Sequence, residues 1–293
     1  MPELPDVTIY LEALDARITG RELRKLRLLN PFVLRTVEPA PSELSGRKIT
    51  GLRRIGKRIV LALEGELFVV IHLMIAGRFK WLTPGAKPPG KIALAAFEFD
   101  HGTLVLTEAG SKRRAALHVV RGEEALRAHD PGGLEPLEIP YETFREALTR
   151  ERHTLKRTLT DPHVFAGIGN AYSDEILHRA RLSPVQMTTN LDEEELHRLY
   201  DAVRSTLIDW TDRLRADAGG KFPEKVTAFR PDMAVHGRYD LPCPACGSPV
   251  QRIVYAENET NYCARCQTGS KLLADRALSR LLNVDWPKSI DDL

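Results

Sequence analysis

Cysteine is scarce in this sequence and confined: all four lie between residues 243 and 266, in two Cys-x-x-Cys pairs. A disulfide framework spreads its cysteines along the chain, whereas two tight pairs present thiolates to one metal ion. Long apolar runs are missing as well. No stretch approaches the roughly 20 residues that span a bilayer. Glu3, Asp6, Glu12 and Asp15 stand where a secretory signal would carry its apolar core. The expectation is a cytoplasmic protein with no membrane attachment. A large charge excess is also absent: the net charge is +2, so no global field announces a polyanionic partner. No internal repeat or low-complexity tract is present.

Charge is nevertheless grouped locally. Basic residues cluster as Arg53-Arg54 with Lys57-Arg58, as Lys112-Arg113-Arg114, and as Arg150, Arg152 and Lys156-Arg157. Such groups can neutralise phosphates while acidic helices elsewhere balance the total, or they can be solvated faces. The acidic run from Asp192 to Glu195 follows Asn190, a good helix N-cap, and reads as a helix's first turn.

Periodicity divides the chain. Residues 5–16 read as a short helix with Pro5 near its start and Val7, Tyr10, Leu11 and Leu14 on one face. Apolar runs 59–63 and 67–73 flank Glu64-Gly65-Glu66, and runs 95–99 and 103–107 flank Asp100-His101-Gly102; both are hairpin signals. Much of 20–120 is therefore expected to be sheet. Asp130-Pro131-Gly132-Gly133 is the best linker candidate. Helical spacing then recurs over 141–150, 154–160, 171–179 and 191–215. The fold class expected is α+β.

Cys243, Cys246, Cys263 and Cys266 form two knuckles, with Gly247 permitting the turn after the first pair. Four thiolates suit a tetrahedral structural Zn2+, one per chain. Residues 250–255 and 260–262 read as two short strands between the knuckles, a unit with too little core to fold without metal.

The start of the chain, Met1-Pro2-Glu3-Leu4-Pro5-Asp6-Val7, places a secondary amine just before a helix once Met1 is removed. The helix dipole favours the neutral, nucleophilic form of that amine, and Glu3 can shuttle protons beside it. Proline and an acid also precede many helices for purely structural reasons. The segment does not stand alone, however. It resembles the Pro-Glu-Leu-Pro-Glu-Val start of the formamidopyrimidine-DNA glycosylase and endonuclease VIII family. Gly56-Lys57 is similar to the family's Gly-Lys, and His72-Leu73-Met74-Ile75-Ala76-Gly77 to its His-Leu-Gly-Met-Ser-Gly loop. Gly167-Ile168-Gly169-Asn170 followed by Tyr172 and Glu175 resembles its Gly-x-Gly-Asn-x-Tyr-x-x-Glu motif in a helix–two-turn–helix. The terminal Cys-rich unit has matching spacing, and the motifs run in the family's order from residue 2 to about 267.

The resemblance implies an N-terminal β-sandwich domain with flanking helices over residues 1–130 and a helical domain over 131–230. A zinc β-hairpin over 231–270 and a tail over 271–293 follow. It implies a monomeric base-excision-repair glycosylase and lyase acting on damaged double-stranded DNA, in the cytoplasm at the nucleoid. Pro2, Glu3 and Lys57 would be catalytic. Asp6, Ile75, Arg113, Arg152, Lys156, Asn170 and Asn258 would meet DNA. Asn170 also reads, more plainly, as a cap for a helix beginning at Ala171. Two other readings stay open: a DNA-binding relative without turnover, and a zinc-stabilised scaffold that binds protein.

The departures are specific. In place of Asp-Pro-Arg-Arg-Phe-Gly the chain has Ser111-Lys112-Arg113-Arg114-Ala115-Ala116, so the phenylalanine wedge has become Ala115. Ile75 replaces the void-filling methionine, and Lys91-Ile92-Ala93-Leu94 lacks the histidines of the family's Lys-His-Asp-His segment. These changes point away from a standard 8-oxoguanine enzyme. Asp6 is one methylene shorter than the usual glutamate. Asn258 stands where the zinc hairpin normally carries a phosphate-gripping arginine, with Arg252 and Arg265 nearby as substitutes. Base excision and β-elimination are expected, and δ-elimination is expected to lag.

Overall fold

The computed structural model describes residues 1–110, 112–224, 226, 230–255, 258–274 and 287–292, with the backbone alone at Tyr255 and Asn258. The chain folds as two units: Met1–Pro131 with Trp210–Thr227, and Gly132–Asp209 with Ala228–Leu293.

The first unit opens on α1 (Leu4–Ile18), which runs slightly beyond the predicted bounds at both ends. Val7, Tyr10, Leu14 and Ile18 recur at three- and four-residue intervals, and all are wholly buried. Nine strands follow: β1 (Glu22–Leu23), β2 (Lys25–Leu28), β3 (Arg47–Ile55), β4 (Arg58–Leu63), β5 (Leu67–His72), β6 (Gly77–Leu82), β7 (Ala93–Glu98), β8 (Thr103–Glu108) and β9 (Ala116–Arg121). They form one sheet ordered β1-β3-β4-β5-β9 and another ordered β2-β7-β8-β6, with every pairing antiparallel.

Strand periodicity decides which residues meet. Ile59, Leu61 and Leu63 of β4 and Leu67, Val69 and Ile71 of β5 point into the main core. The alternate residues Val60, Phe68 and Val70 form a second cluster on the opposite face with Val120 and Leu126. Leu126 belongs to the short helix α2 (Glu123–Arg127). With both faces buried, these strands read as unbroken apolar runs rather than as alternating ones.

The second unit is helical: α3 (Tyr141–Thr149), α4 (Leu155–Thr160), α5 (Asn170–Ala180) and α6 (Glu193–Ala218), whose last turns from Trp210 belong to the first unit. Phe144 and Phe165 stack with centroids 5.0 Å apart in its core. The expected cap of α6 at Asn190 is not the one used. Asn190 ends a short 3-10 turn, and Asp192 caps the helix two residues later. Asp192 Oδ1 accepts the Glu195 N–H at 2.8 Å while Glu195 Oε2 accepts the Asp192 N–H at 3.2 Å. A reciprocal pair satisfies two helix-end donors where Asn190 would satisfy one. Strands β10 (Gln251–Tyr255) and β11 (Asn258–Tyr262) make the expected hairpin, with β11 starting two residues earlier than predicted. The four-residue helix α7 (Ala264–Gln267) follows. Much of the 271–293 tail lies outside the described residues. Among the described residues no helix is long and apolar enough to cross a membrane.

Asp6 shows how the start of α1 is held. Its Oδ2 accepts the Glu3 N–H at 2.9 Å, and the side chain is wholly buried. The expectation that Asp6 contacts DNA is therefore corrected: a carboxylate closed off inside the helix start has no surface to offer. Oδ1 has no hydrogen-bond partner. Burial lifts the carboxyl from 3.8 to about 7, with the Glu3 N–H pulling the other way. A raised folded value means that the folded state holds this proton more tightly than the unfolded chain. The resulting stabilisation is full below the unfolded value near 4 and lost as pH rises through about 7. Replacement by Asn keeps an acceptor for the Glu3 N–H without the buried charge. Urea unfolding of Asp6→Asn and the parent should show the variant gaining, on the order of a few kcal/mol, between pH 4 and 8. A stability difference that does not change with pH would show that Asp6 titrates as it does in water.

Candidate active site and metal centre

Pro2 and Glu3 are buried immediately before α1, Glu3 being 2% exposed. While Met1 is attached, the free amine belongs to Met1 and the Pro2 nitrogen is an amide. Burial holds the terminal amine below its ordinary value of 8.0. Glu3 and Asp6 oppose this, while Arg78 and Lys57 push the same way. Two acids and two bases thus converge on the start of the chain. Lys57 is half-buried in the two-residue turn between β3 and β4, where Gly56 takes a φ of +56° that glycine adopts without steric cost. Arg78 went unnoticed in the sequence. It reaches the site from β6, its Nη1 donating to the carbonyls of Gly77 at 2.6 Å and Ile75 at 3.1 Å. The only signal was a lone cation just after the His72–Gly77 motif.

That motif forms a tight loop. Gly77 N–H donates to Leu73 O at 2.9 Å, and a Cβ on Gly77 would collide with the same carbonyl. Met74 holds a φ of +52°, a conformation unusual for a side chain of this size, at the place where the resemblance has glycine. The turn leaves Ile75 52% exposed at the loop tip. His72 is half-buried with Nε2 unpartnered, and burial, then Arg58 and Lys57, hold it down at about 4, so it is a neutral imidazole. The basic loop after β8 is fixed by Glu108, a buried carboxylate that accepts the N–H groups of Arg114 and Ala115 at 3.0 Å. Arg113 is exposed and its Nη2 donates to Lys91 O at 2.5 Å. Ala115 is buried in the core, so the loop presents arginine and no apolar wedge.

In the second unit the Gly167–Asn170 turn leads directly into α5. Gly169 is the N-cap and Asn170 the first helical residue, so Asn170 does not cap the helix. Its Nδ2 donates instead to Glu259 O on β11 at 2.8 Å. Lys156 of α4 donates to Asn170 O at 2.7 Å and to Asp174 Oδ1 at 2.5 Å. Asp174 is wholly buried, and its Oδ2 pairs with His236 Nδ1 at 2.8 Å. Glu175 accepts three consecutive N–H groups, from Ala234, Val235 and His236, at 2.8 to 3.0 Å. Burial raises its carboxyl, and those three donors act against the rise. Arg152, exposed just before α4, stands on the same unit. The side chain of Asn258 lies outside the described residues, and its backbone opens β11. Of its candidate substitutes, Arg252 pairs with Glu259 at 3.3 Å over the Tyr239 ring, and Arg265 pairs with Asp291 at 2.8 Å.

Cys243, Cys246, Cys263 and Cys266 bring four Sγ atoms within 4.8 Å of one another. Cys243 and Cys266 are 3.9 Å apart, and Cys246 and Cys263 3.4 Å. Zn–S bonds of about 2.3 Å at tetrahedral angles require S···S edges of about 3.8 Å. The donors therefore fit a structural zinc. The first knuckle is closed by Gly247 N–H to Cys243 O and by Cys243 N–H to Ser248 O, both at 2.8 Å, with Gly247 at a φ of +78°.

Comparison with known proteins agrees with this geometry. The model of the formamidopyrimidine-DNA glycosylase N-terminal domain matches residues 1–117. That of the H2TH domain of the same proteins matches 133–213, and that of the zinc finger found in FPG and IleRS matches 240–269. A formamidopyrimidine-DNA glycosylase of Heliobacterium modesticaldum is 36% identical over 281 residues, covering 91% of this chain and 100% of the relative. That of Thermus thermophilus is 34% identical over 279 residues, covering 91% and 98%. A solved structure of the Lactococcus lactis protein in complex with DNA containing an oxidised pyrimidine matches with a TM-score of 0.80 at 26% identity, over 91% of this chain and 100% of that one. Another, with DNA containing an abasic site, also gives 0.80, at 25% identity and with 91% and 99% coverage. The chain belongs to the formamidopyrimidine-DNA glycosylase and endonuclease VIII family.

Proposed function

We propose that this protein is a base-excision-repair DNA glycosylase with lyase activity that removes oxidised bases from double-stranded DNA through a Schiff base on Pro2. The observation that carries the reading is the N-terminal amine, buried and kept below its ordinary value beside Glu3, Lys57 and Arg78. Once Met1 is removed, the same surroundings act on the Pro2 secondary amine. The damaged nucleotide leaves the stack, and bound DNA bends. Pro2 nitrogen then attacks the sugar C1′ as the base departs, and the ring-opened sugar remains bound as an iminium ion. Glu3 manages protons at the sugar, and Lys57 holds the adjacent phosphate and supports the chemistry. Elimination cuts the strand.

Binding is divided between the units. In the second, Asn170 and the N–H groups at the α5 start hold a phosphate, with Lys156 and Arg152 adding charge. In the first, Ile75 and Arg113 fill the space of the extruded base. Asp6 steadies Glu3. The ranges 1–130, 131–230 and 231–270 act as catalytic, phosphate-binding and zinc segments. Zinc supplies structure to the hairpin and takes part in no step. The working form is a monomer at the nucleoid, without membrane contact.

Two outcomes follow. An added N-terminal residue turns the Pro2 nitrogen into a non-nucleophilic amide. The extended chain should therefore lose base release by at least several hundred-fold, while gel-shift affinity for an abasic-analogue duplex falls much less. For the chain beginning at Pro2, kcat/KM should rise as pH climbs through the lowered amine value, below pH 8. Full activity of the extended chain would remove Pro2 from the mechanism.

The third outcome concerns the second cut. With Asn258 bringing no charge, and with Arg252 and Arg265 already paired, little positive charge is available to the phosphate from the hairpin. Gel analysis of the ends should show the 3′ unsaturated sugar fragment dominating. Asn258→Arg should shift products toward a bare phosphate. Complete δ-elimination by the parent at the rate of base release would assign this step to another residue.

A further inference from the structure

His178 lies near the end of α5, two helical turns beyond Asn170, outside every motif read from the sequence. Its Nε2 stands 3.2 Å from the Sγ of Cys243. Cys243 is 2% exposed and packed with Val235, Val250 and Cys263, so water has little access to that sulfur. Four thiolates around one Zn2+ leave a net double negative charge, which is stabilised by N–H donors to sulfur. Cys246 has such donors in the backbone and hydroxyl of Ser248. For Cys243 the structure offers the imidazole.

We propose that His178 is an outer-sphere partner of the zinc centre, its Nε2–H donating to the Cys243 thiolate and fastening the metal to α5. A zinc-bound thiolate carries lone pairs and no proton, so the bond exists only in the tautomer with hydrogen on Nε2. It spreads the sulfur's charge, orients the Cys243 side chain and retains the metal. It also clamps the far end of α5 to the zinc module, beyond the links made by Asn170, Asp174 and Glu175. Asn170 Nδ2 reaches Glu259 O at the start of the helix, 2.8 Å away, and His178 reaches Cys243 near its end. Loss of the imidazole therefore loosens zinc first and the seating of Asn170 second.

The test uses the full chain loaded with zinc. Nitrogen-15 NMR of the imidazole should find the proton on Nε2 of His178 in the unmodified protein; a proton on Nδ1 alone overturns the proposal. Transfer of zinc to a competing chromogenic chelator should become about 10- to 100-fold more favourable in His178→Phe. The sulfur-to-metal charge-transfer band of the cobalt-loaded variant should move to lower energy. His178→Gln, which keeps an N–H donor, should recover most of both. If His178→Phe retains zinc as tightly as the parent and its cobalt band does not move, the contact is packing alone. If the phenylalanine variant fails to fold, the tautomer and the glutamine variant still decide: a glutamine variant that releases zinc freely, with its cobalt band shifted, contradicts the donor role.

Discussion

An amine attacks carbon only without its extra proton, and a chain terminus in water keeps that proton up to about pH 8. The first unit works against this by enclosing its own terminus. Core residues Val7, Tyr10 and Leu14 fix α1 against the sheets, and that fixes where the preceding residues lie. Desolvation then lowers the amine, and Lys57 and Arg78 add to the effect. Glu3 and Asp6 pull the other way, which keeps the charge of the corner near balance. The cost appears at Asp6, whose buried carboxyl is lifted to about 7.

The second unit solves a different problem: a zinc hairpin too small to hold itself has to be seated on a helix. Glu175 is central to this. One buried carboxylate accepts three successive amides of residues 234–236, the segment that leads into the first knuckle. An ionised carboxylate has acceptor sites for all three, so the chain is fixed without an unsatisfied donor. Gln267 adds a link from the second knuckle, its Nε2 donating to Leu182 O at 2.9 Å. Asp174 shares its oxygens between Lys156 and His236, so Lys156 is oriented by the same stretch that carries the metal site. Metal, α5 and the Asn170 turn are therefore one mechanical assembly.

Much of this was legible in the sequence, where local rules suffice. The face of α1, the two hairpins and the paired knuckles depend on spacing, and the structure has them within a few residues. Reading failed once at a rival local cap and otherwise where a tertiary partner decided the outcome. Asn190 looked like a cap, but Asp192 had a reciprocal partner in Glu195. Asp6 reads as a DNA-contacting acid because nothing local shows that the helix start is enclosed. Arg78, Glu108 and His178 carried no motif, since each acts on residues remote in sequence or on a backbone loop. Ala115 could be read as a lost wedge from the sequence, but its burial in the core, beside the exposed Lys112, Arg113 and Arg114, required the fold.

The central claim is that Pro2 nitrogen bonds to the sugar of the damaged nucleotide. Borohydride reduction during turnover converts the iminium ion into a stable tertiary amine cross-link, and proteolysis with tandem mass spectrometry locates it. The account requires the sugar remnant on the peptide beginning at Pro2, with Met1 absent and the proline nitrogen as the bonded atom. A cross-link carried by Lys57 or any other lysine, with the Pro2 peptide unmodified, would contradict it.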